Sequence, residues 1–334
     1  MIHSNNLLTQ LPQRLLWIDR MRGLAILSVV IQHLTYYYQN DFIYHKLIGI
    51  SNMALFFFVS GYIWDKTSSI QQWQEAVKFL MKKTRQLILP FLIWTFIVDR
   101  YFFHTEWDVL SFEEVMQEFL QPHLWFLLTL YGYCFVFPIY KLFANRRGIK
   151  CGIIFWIIYI FTLFFIWYKF GLFKLSTLYI IYFAAGTLMA NSNLMEKIFT
   201  NQMVSTLSLL CVFLLMAFWT PGETSLIKII IRIAVSFSVI SITYFLCTKL
   251  SWNKYWDSLI VSFGKYSLGI YVMHWTFLNI WETKPLIVQN ELIGFAPLLL
   301  YAILICIVCI LFMKIISYSS ILNSILFGNK ISKQ

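Results

Sequence analysis

Charge is what this chain has least of. Charged residues fill 12% of its 334 positions against 60% hydrophobic and 19% aromatic. At a mean hydropathy of +0.71, such a chain has too little polar surface to cover its apolar side chains in water, which excludes the two soluble domains that its length alone would suggest. Phosphate-cradling glycine loops and dinucleotide-type glycine patterns are missing, and no G-x-S-x-G elbow surrounds a serine. Internal repeats and low-complexity segments are lacking as well. A cleavable leader is not expected, because the first apolar run starts only after Arg14, Arg20 and Arg22 and ends in the bulky Tyr36-Tyr37-Tyr38 cluster. The six cysteines (Cys134, Cys151, Cys211, Cys247, Cys306 and Cys309) lie in or beside apolar runs, which suits packing rather than redox chemistry or zinc, and no metal site is predicted.

What fills the chain is a series of apolar runs, each long enough to satisfy its own backbone as a helix in hydrocarbon. They fall at roughly 23–38, 47–64, 86–103, 122–143, 149–168, 172–190, 203–220, 226–247, 259–280 and 294–316. The predicted fold is an all-α integral membrane protein, a bundle of about ten transmembrane helices forming a single domain over 1–334. Lys and Arg divide unevenly between the two sides. One side collects Arg14, Arg20, Arg22, Lys66, Lys78, Lys82, Lys83, Arg85, Lys141, Arg146, Arg147, Lys150, Lys197, Lys249, Lys254, Lys265, Lys314, Lys330 and Lys333. The other collects Lys46, Arg100, Lys169, Lys174 and Lys284, while Lys228 and Arg232 enter the eighth span. The excess of basic residues marks the cytoplasmic side, so both termini are expected there, with 1–22 as the N-terminal segment and 317–334 as the C-terminal tail. The net charge of +11 thus belongs to short loops with no aromatic-basic face, and nucleic acid is not an expected partner. Segment 104–121 carries Glu106, Asp108, Glu113, Glu114 and Glu118 and is expected outside, as a connector or a short amphipathic helix.

Ionisable groups inside a span are costly and so mark candidate sites. His33 lies in the first predicted span and His274 in the ninth. Arg22 precedes His33 by eleven positions, which on a helix leaves about 20° of azimuth and about 16 Å of rise between them. The two share a face that would hold an anion at Arg22 and present His33 deeper in the membrane. Asp19, three residues before Arg22, is placed to orient its guanidinium if the helix starts early. Against this stand plainer roles: a topology-setting arginine and a histidine that bonds a neighbouring helix.

The run WIDRMRGLAILSVVIQH (17–33) resembles the opening of the acyltransferase-3 family of integral membrane O-acyltransferases. FFFVSGYIW (56–64), RQLILPFLIW (85–94), LWFLLTLY (124–131) and GKYSLGIYVMH (264–274) resemble further segments of that family, in the same order. The resemblance spans roughly 14–328 and implies a stand-alone enzyme, without a fused soluble hydrolase-like domain. Its implied reaction moves an acyl group, usually acetyl, from cytoplasmic acyl-CoA to a hydroxyl of a cell-envelope or lipid-linked saccharide.

The resemblance places the family's essential arginine and histidine on Arg22 and His33. Where the family often has an R-x-x-R pair, this chain has Lys82-Lys83-Thr84-Arg85, keeping charge but bidentate phosphate geometry only at Arg85. Acyl-CoA is expected as a co-substrate, not a resident cofactor, with Arg22, Lys82, Lys83 and Arg85 as counter-charges to its phosphates. His33 would act as a general base or as a transient acyl carrier. His274 is a second polar candidate at similar depth, and Ser60 suits helix packing better than nucleophilic attack. The expected location is the inner, cytoplasmic membrane, with lipid, acyl-CoA and a saccharide acceptor as partners. The competing interpretation is a transporter or flippase for a small metabolite or lipid-linked sugar, and a non-catalytic scaffold is a third.

Overall fold

A computed structural model describes residues 16–35, 43–98, 124–171, 174–218, 225–280 and 291–329, and every regular element among them is a helix. The acidic segment 104–121 lies outside the described residues. In chain order the helices are α1 (Leu16–Thr35), α2 (Ile43–Thr67), α3 (Trp73–Lys83), α4 (Leu89–Ile93), α5 (Trp125–Arg147), α6 (Ile149–Phe170), α7 (Lys174–Ala190), α8 (Asn193–Phe199), α9 (Gln202–Met216), α10 (Leu226–Lys249), α11 (Lys254–Lys265), α12 (Ser267–Ile280), α13 (Glu291–Ser317) and α14 (Ser320–Phe327).

Five stretches are long and apolar enough to cross a bilayer: Tyr44–Thr67, Trp125–Asn145, Lys150–Phe170, Leu226–Lys249 and Phe295–Ser317. A sixth span would count α8 and α9 together, which meet at a bend of 61°. The four other predicted spans are helical too but differ in kind. α1 starts seven residues earlier than predicted and carries Asp19, Arg20 and Arg22 in its first two turns. The third runs on from α3 through two wider, π-type turns, Thr84–Ile88 and Trp94–Val98, on either side of α4 with its Pro90, whose missing N–H already breaks the regular ladder. The apolar part of α7, Thr177–Ala190, is short. The ninth is broken at Tyr266 into α11 and α12.

Side-chain caps fall on the short elements. Ser192, Asn201, Asn253 and Ser319 each accept a backbone N–H at the start of α8, α9, α11 and α14, satisfying a donor that has no partner within the helix. The lipid-facing surface is clearest on α6, where Phe161, Phe165 and Tyr168 are 71%, 60% and 92% exposed. In water that band would be an aggregation surface; against acyl chains it is simply solvated.

Polar clamps fix the helices that carry the site. The guanidinium of Arg20 on α1 binds both carboxylate oxygens of Asp257 on α11, at 2.7 and 2.9 Å, and also donates to the carbonyl of Cys247 on α10 at 2.7 Å. α1 and α11 touch backbone to backbone: a Cβ on Gly23 would sit 2.0 Å from the Ile260 carbonyl oxygen, and one on Gly264 would sit 1.8 Å from that of Asp19. Elsewhere Lys141, counted on the basic side at the end of the fourth predicted span, is buried with its ammonium 2.8 Å from Asp65, which also accepts from Asn191 at 2.8 Å, so α2, α5 and α7 are tied at one end. All six cysteines are free thiols, and Cys134, Cys247, Cys306 and Cys309 are buried.

Candidate active site

A cavity of about 250 Å³ opens where α1, α2, α5, α12, the continuous helix from Trp73 and the C-terminal segment converge. Its cations are Arg22 of α1 and Lys83, the last residue of α3. Ser60, Gln86, Ser267 and Asn329 add neutral polar groups, and Trp64, Phe126, Tyr271 and Phe327 add aromatic wall. The sequence explains how Ser60 arrives there. Gly61 beside it lets α2 press against the Phe183 carbonyl of α7, where a Cβ would meet the oxygen at 2.1 Å, and this turns the preceding serine toward the cavity.

The Lys83 ammonium lies 4.4 Å from the centre of the Trp64 ring and 5.6 Å from that of Phe79. It precedes the predicted third span and so belongs to the basic end of the bundle. Burial lowers its pKa to about 8; Cys134 opposes this, and the nearby charges of Lys82 and Arg22 add to the lowering. A dianionic ligand entering between Arg22 and Lys83 would meet one fixed cation and one that titrates near neutrality.

Deeper along α1 and α12 lie the two histidines. Their ring centroids are 5.1 Å apart, and Trp275 packs edge-on against His33 at 4.9 Å. His274 is buried, and its Nδ1 lies 3.1 Å from the Ile270 carbonyl and 2.8 Å from that of Tyr271. Carbonyls only accept, so Nδ1 bears the proton and Nε2 of the neutral ring holds a lone pair. That Nε2 is buried with no hydrogen-bond partner among the described residues. Tyr271, one turn before His274, lines the cavity and stands with its ring 6.0 Å from the His274 ring, linking the cationic mouth to the histidines.

The shared face of Arg22 and His33 is therefore the one turned toward α12: Arg22 lines the cavity with Ser267, Leu268 and Tyr271, and His33 meets His274 and Trp275. Asp19 is buried on the same helix, with its backbone against α11. Lys82 is exposed and Arg85 half-buried, and neither lines the cavity; Arg85 Nε donates to the carbonyl of Gly328 at 3.2 Å. Tyr271, Gln86 and Asn329 were not singled out from sequence. Tyr271 had a signal, its i, i+3 relation to His274; Asn329 had none.

These features define a multi-pass membrane protein with a cationic cavity leading to a histidine pair, one member half-buried and the other buried. The chain matches the acyltransferase-3 family, described as an acyltransferase domain, over residues 15–314, and it belongs to that family. It is a membrane acyltransferase. No curated protein and no solved structure matches it.

Proposed function

We propose that the protein is an O-acyltransferase of the inner membrane that takes an acyl group, acetyl in the simplest case, from cytoplasmic acyl-CoA and transfers it to a hydroxyl of a cell-envelope or lipid-linked saccharide. The observation that carries this proposal is the His33–His274 pair, reached through Tyr271 from a cavity that holds Arg22 and Lys83. About ten spans with both termini in the cytoplasm complete it. The uneven division of basic residues supports that topology, as does the meeting of Arg22 from the first helix and Asn329 from the C-terminal segment at one cavity.

In this mechanism the CoA phosphates lie at Arg22 and Lys83, with Lys82 adding charge around the mouth. The acyl thioester reaches the histidines some 16 Å further along α1. His33 takes the proton of the acceptor hydroxyl as its oxygen attacks the thioester carbonyl carbon. The tetrahedral carbon then expels the CoA thiolate, which recovers that proton from the imidazolium, so the products are an ester and a free thiol. His274, its Nδ1–H held by two carbonyls, keeps its Nε2 lone pair toward this buried region and favours the charged His33. A positioned general base of this kind contributes about 10²- to 10⁴-fold.

The test uses the purified protein in liposomes with labelled acetyl-CoA inside and envelope saccharides supplied as acceptors. Label should appear in alkali-labile esters with matching release of CoA thiol, and His33→Ala should cut both by about 10²- to 10⁴-fold. Undiminished ester formation by that variant overturns the proposal, as does saccharide movement across the liposome without any acyl donor.

A further inference from the structure

The C-terminal segment, predicted as a plain cytoplasmic tail, is built into the wall of the cavity. It also lies beyond residue 314, where the family match ends. α14 starts at the Ser319 cap and stops at Gly328, whose φ of +65° is open to glycine. Two donors hold its end against the continuous helix from Trp73. The Trp94 indole N–H donates to the Leu326 carbonyl at 2.9 Å, and Arg85 Nε donates to that of Gly328 at 3.2 Å. The contact is close enough that a Cβ on Gly328 would lie 2.1 Å from the Arg85 carbonyl oxygen. The residues on either side of this anchored glycine, Phe327 and Asn329, both line the cavity.

Asn329 is itself oriented, since its Nδ2 donates to Asn323 Oδ1 at 2.7 Å. With one amide N–H engaged, the exposed side chain keeps its Oδ1 as an acceptor at a mouth whose charged groups, Arg22 and Lys83, donate as cations. Acyl-CoA carries anionic phosphates that suit the two cations and, along its arm, amide N–H groups that suit a carbonyl oxygen.

We propose that Ser320–Asn329 is a wall of the acyl-donor site, with Asn329 Oδ1 accepting from an amide N–H of the donor. Arg85 serves as a positioning residue that acts through the Gly328 carbonyl instead of binding phosphate itself. This rests on the acyl-CoA reading above.

The experiment measures initial rates of acyl transfer and equilibrium binding of CoA to the full-length protein in detergent. Asn329→Ala should raise KM for acyl-CoA and the Kd of CoA about three- to tenfold, the range of one neutral hydrogen bond, with a much smaller change in kcat. Arg85→Ala should raise both constants as well, and the double variant should bind no more weakly than Arg85→Ala alone, because both changes remove one contact. Asn323→Ala should weaken donor binding in the same direction by a smaller factor, and it takes the place of Arg85→Ala in the cycle if that variant does not accumulate. An unchanged KM in Asn329→Ala, or fully additive losses, overturns the proposal. If the wild type neither binds CoA nor releases it during transfer, the donor reading itself has failed, which is a different result from normal turnover with an indifferent Asn329.

Discussion

The ring of His274 lies 5.1 Å from that of His33, centroid to centroid, while its Nδ1–H is committed to the carbonyls of Ile270 and Tyr271. One histidine thus has its orientation and tautomer fixed by its own helix, and the other, on α1, faces it. If they act as a unit, their losses will not add. His33→Ala should lower kcat by about 10²- to 10⁴-fold. His274→Ala should cost about ten- to a hundredfold, and the double variant should be no slower than His33→Ala. Initial rates with labelled acyl-CoA decide this, and multiplicative losses would show that the two histidines work separately.

Lys83 gives donor binding a pH dependence whose sign follows from its environment. Burial against Trp64 and Phe79 lowers its pKa to about 8, whereas a bound phosphate would raise it again. Well below pH 8 the ammonium is charged in the free protein and its contribution to binding is fully present. Above pH 8 the free form loses its proton, and binding must first restore it. KM for acyl-CoA should therefore be flat from pH 6 to about 7.5 and rise at higher pH by up to about tenfold per unit. Lys83→Arg should remove the rise. A profile that is the same in both proteins would assign the titration elsewhere.

The Asp65–Lys141 pair should matter for stability and not for turnover. Both groups are almost fully buried, at 5% and 7% exposure, and neither lines the cavity. Asp65→Ala leaves a buried ammonium without its counter-charge and should cost about 3–5 kcal/mol, while Asp65→Leu with Lys141→Met should recover most of it. Thermal unfolding in detergent measures both, with kcat expected to stay within about twofold of wild type in whatever fraction folds. A strongly destabilised double variant would mean that the pair contributes more than mutual neutralisation.

The parts of this molecule that repeat with the period of a helix were legible in its sequence. Arg22 and His33 share an azimuth, and that face is the one turned to α12. Charge gave a different result. Lys141, Lys82, Lys83 and Arg85 look alike as residues of one basic side, yet one is buried on Asp65, one is exposed, one lines the cavity and one holds the carbonyl of Gly328. Which of these a basic residue does depends on helix crossings that no local pattern encodes. The break at Tyr266 and the wider turns flanking α4 escaped for a similar reason: Lys265 and Pro90 interrupt the apolar pattern there, but neither says how the helix continues. Asn329 is the extreme case, since its place depends on α14 folding back onto a helix more than 200 residues earlier.

Two glycines in apparently similar helices should respond in opposite ways. Gly264 on α11 faces the Asp19 carbonyl of α1 with room for nothing more, whereas Gly132 on α5 has no atom within 4 Å of where a Cβ would stand. Gly264→Ala must push α1 and α11 apart, a kind of overpacking that costs about 1–3 kcal/mol. It also strains the Arg20–Asp257 clamp and shifts Arg22, one turn beyond Asp19, relative to the cavity, so KM for acyl-CoA should rise along with the loss of stability. Gly132→Ala meets no such obstacle. It should leave KM unchanged and raise stability by about 0.5–1 kcal/mol, the ordinary gain from replacing glycine in a helix. Thermal unfolding and donor KM measured on the same preparations separate the cases. If Gly264→Ala behaves like Gly132→Ala, then the close crossing of α1 on α11 does not position the arginine.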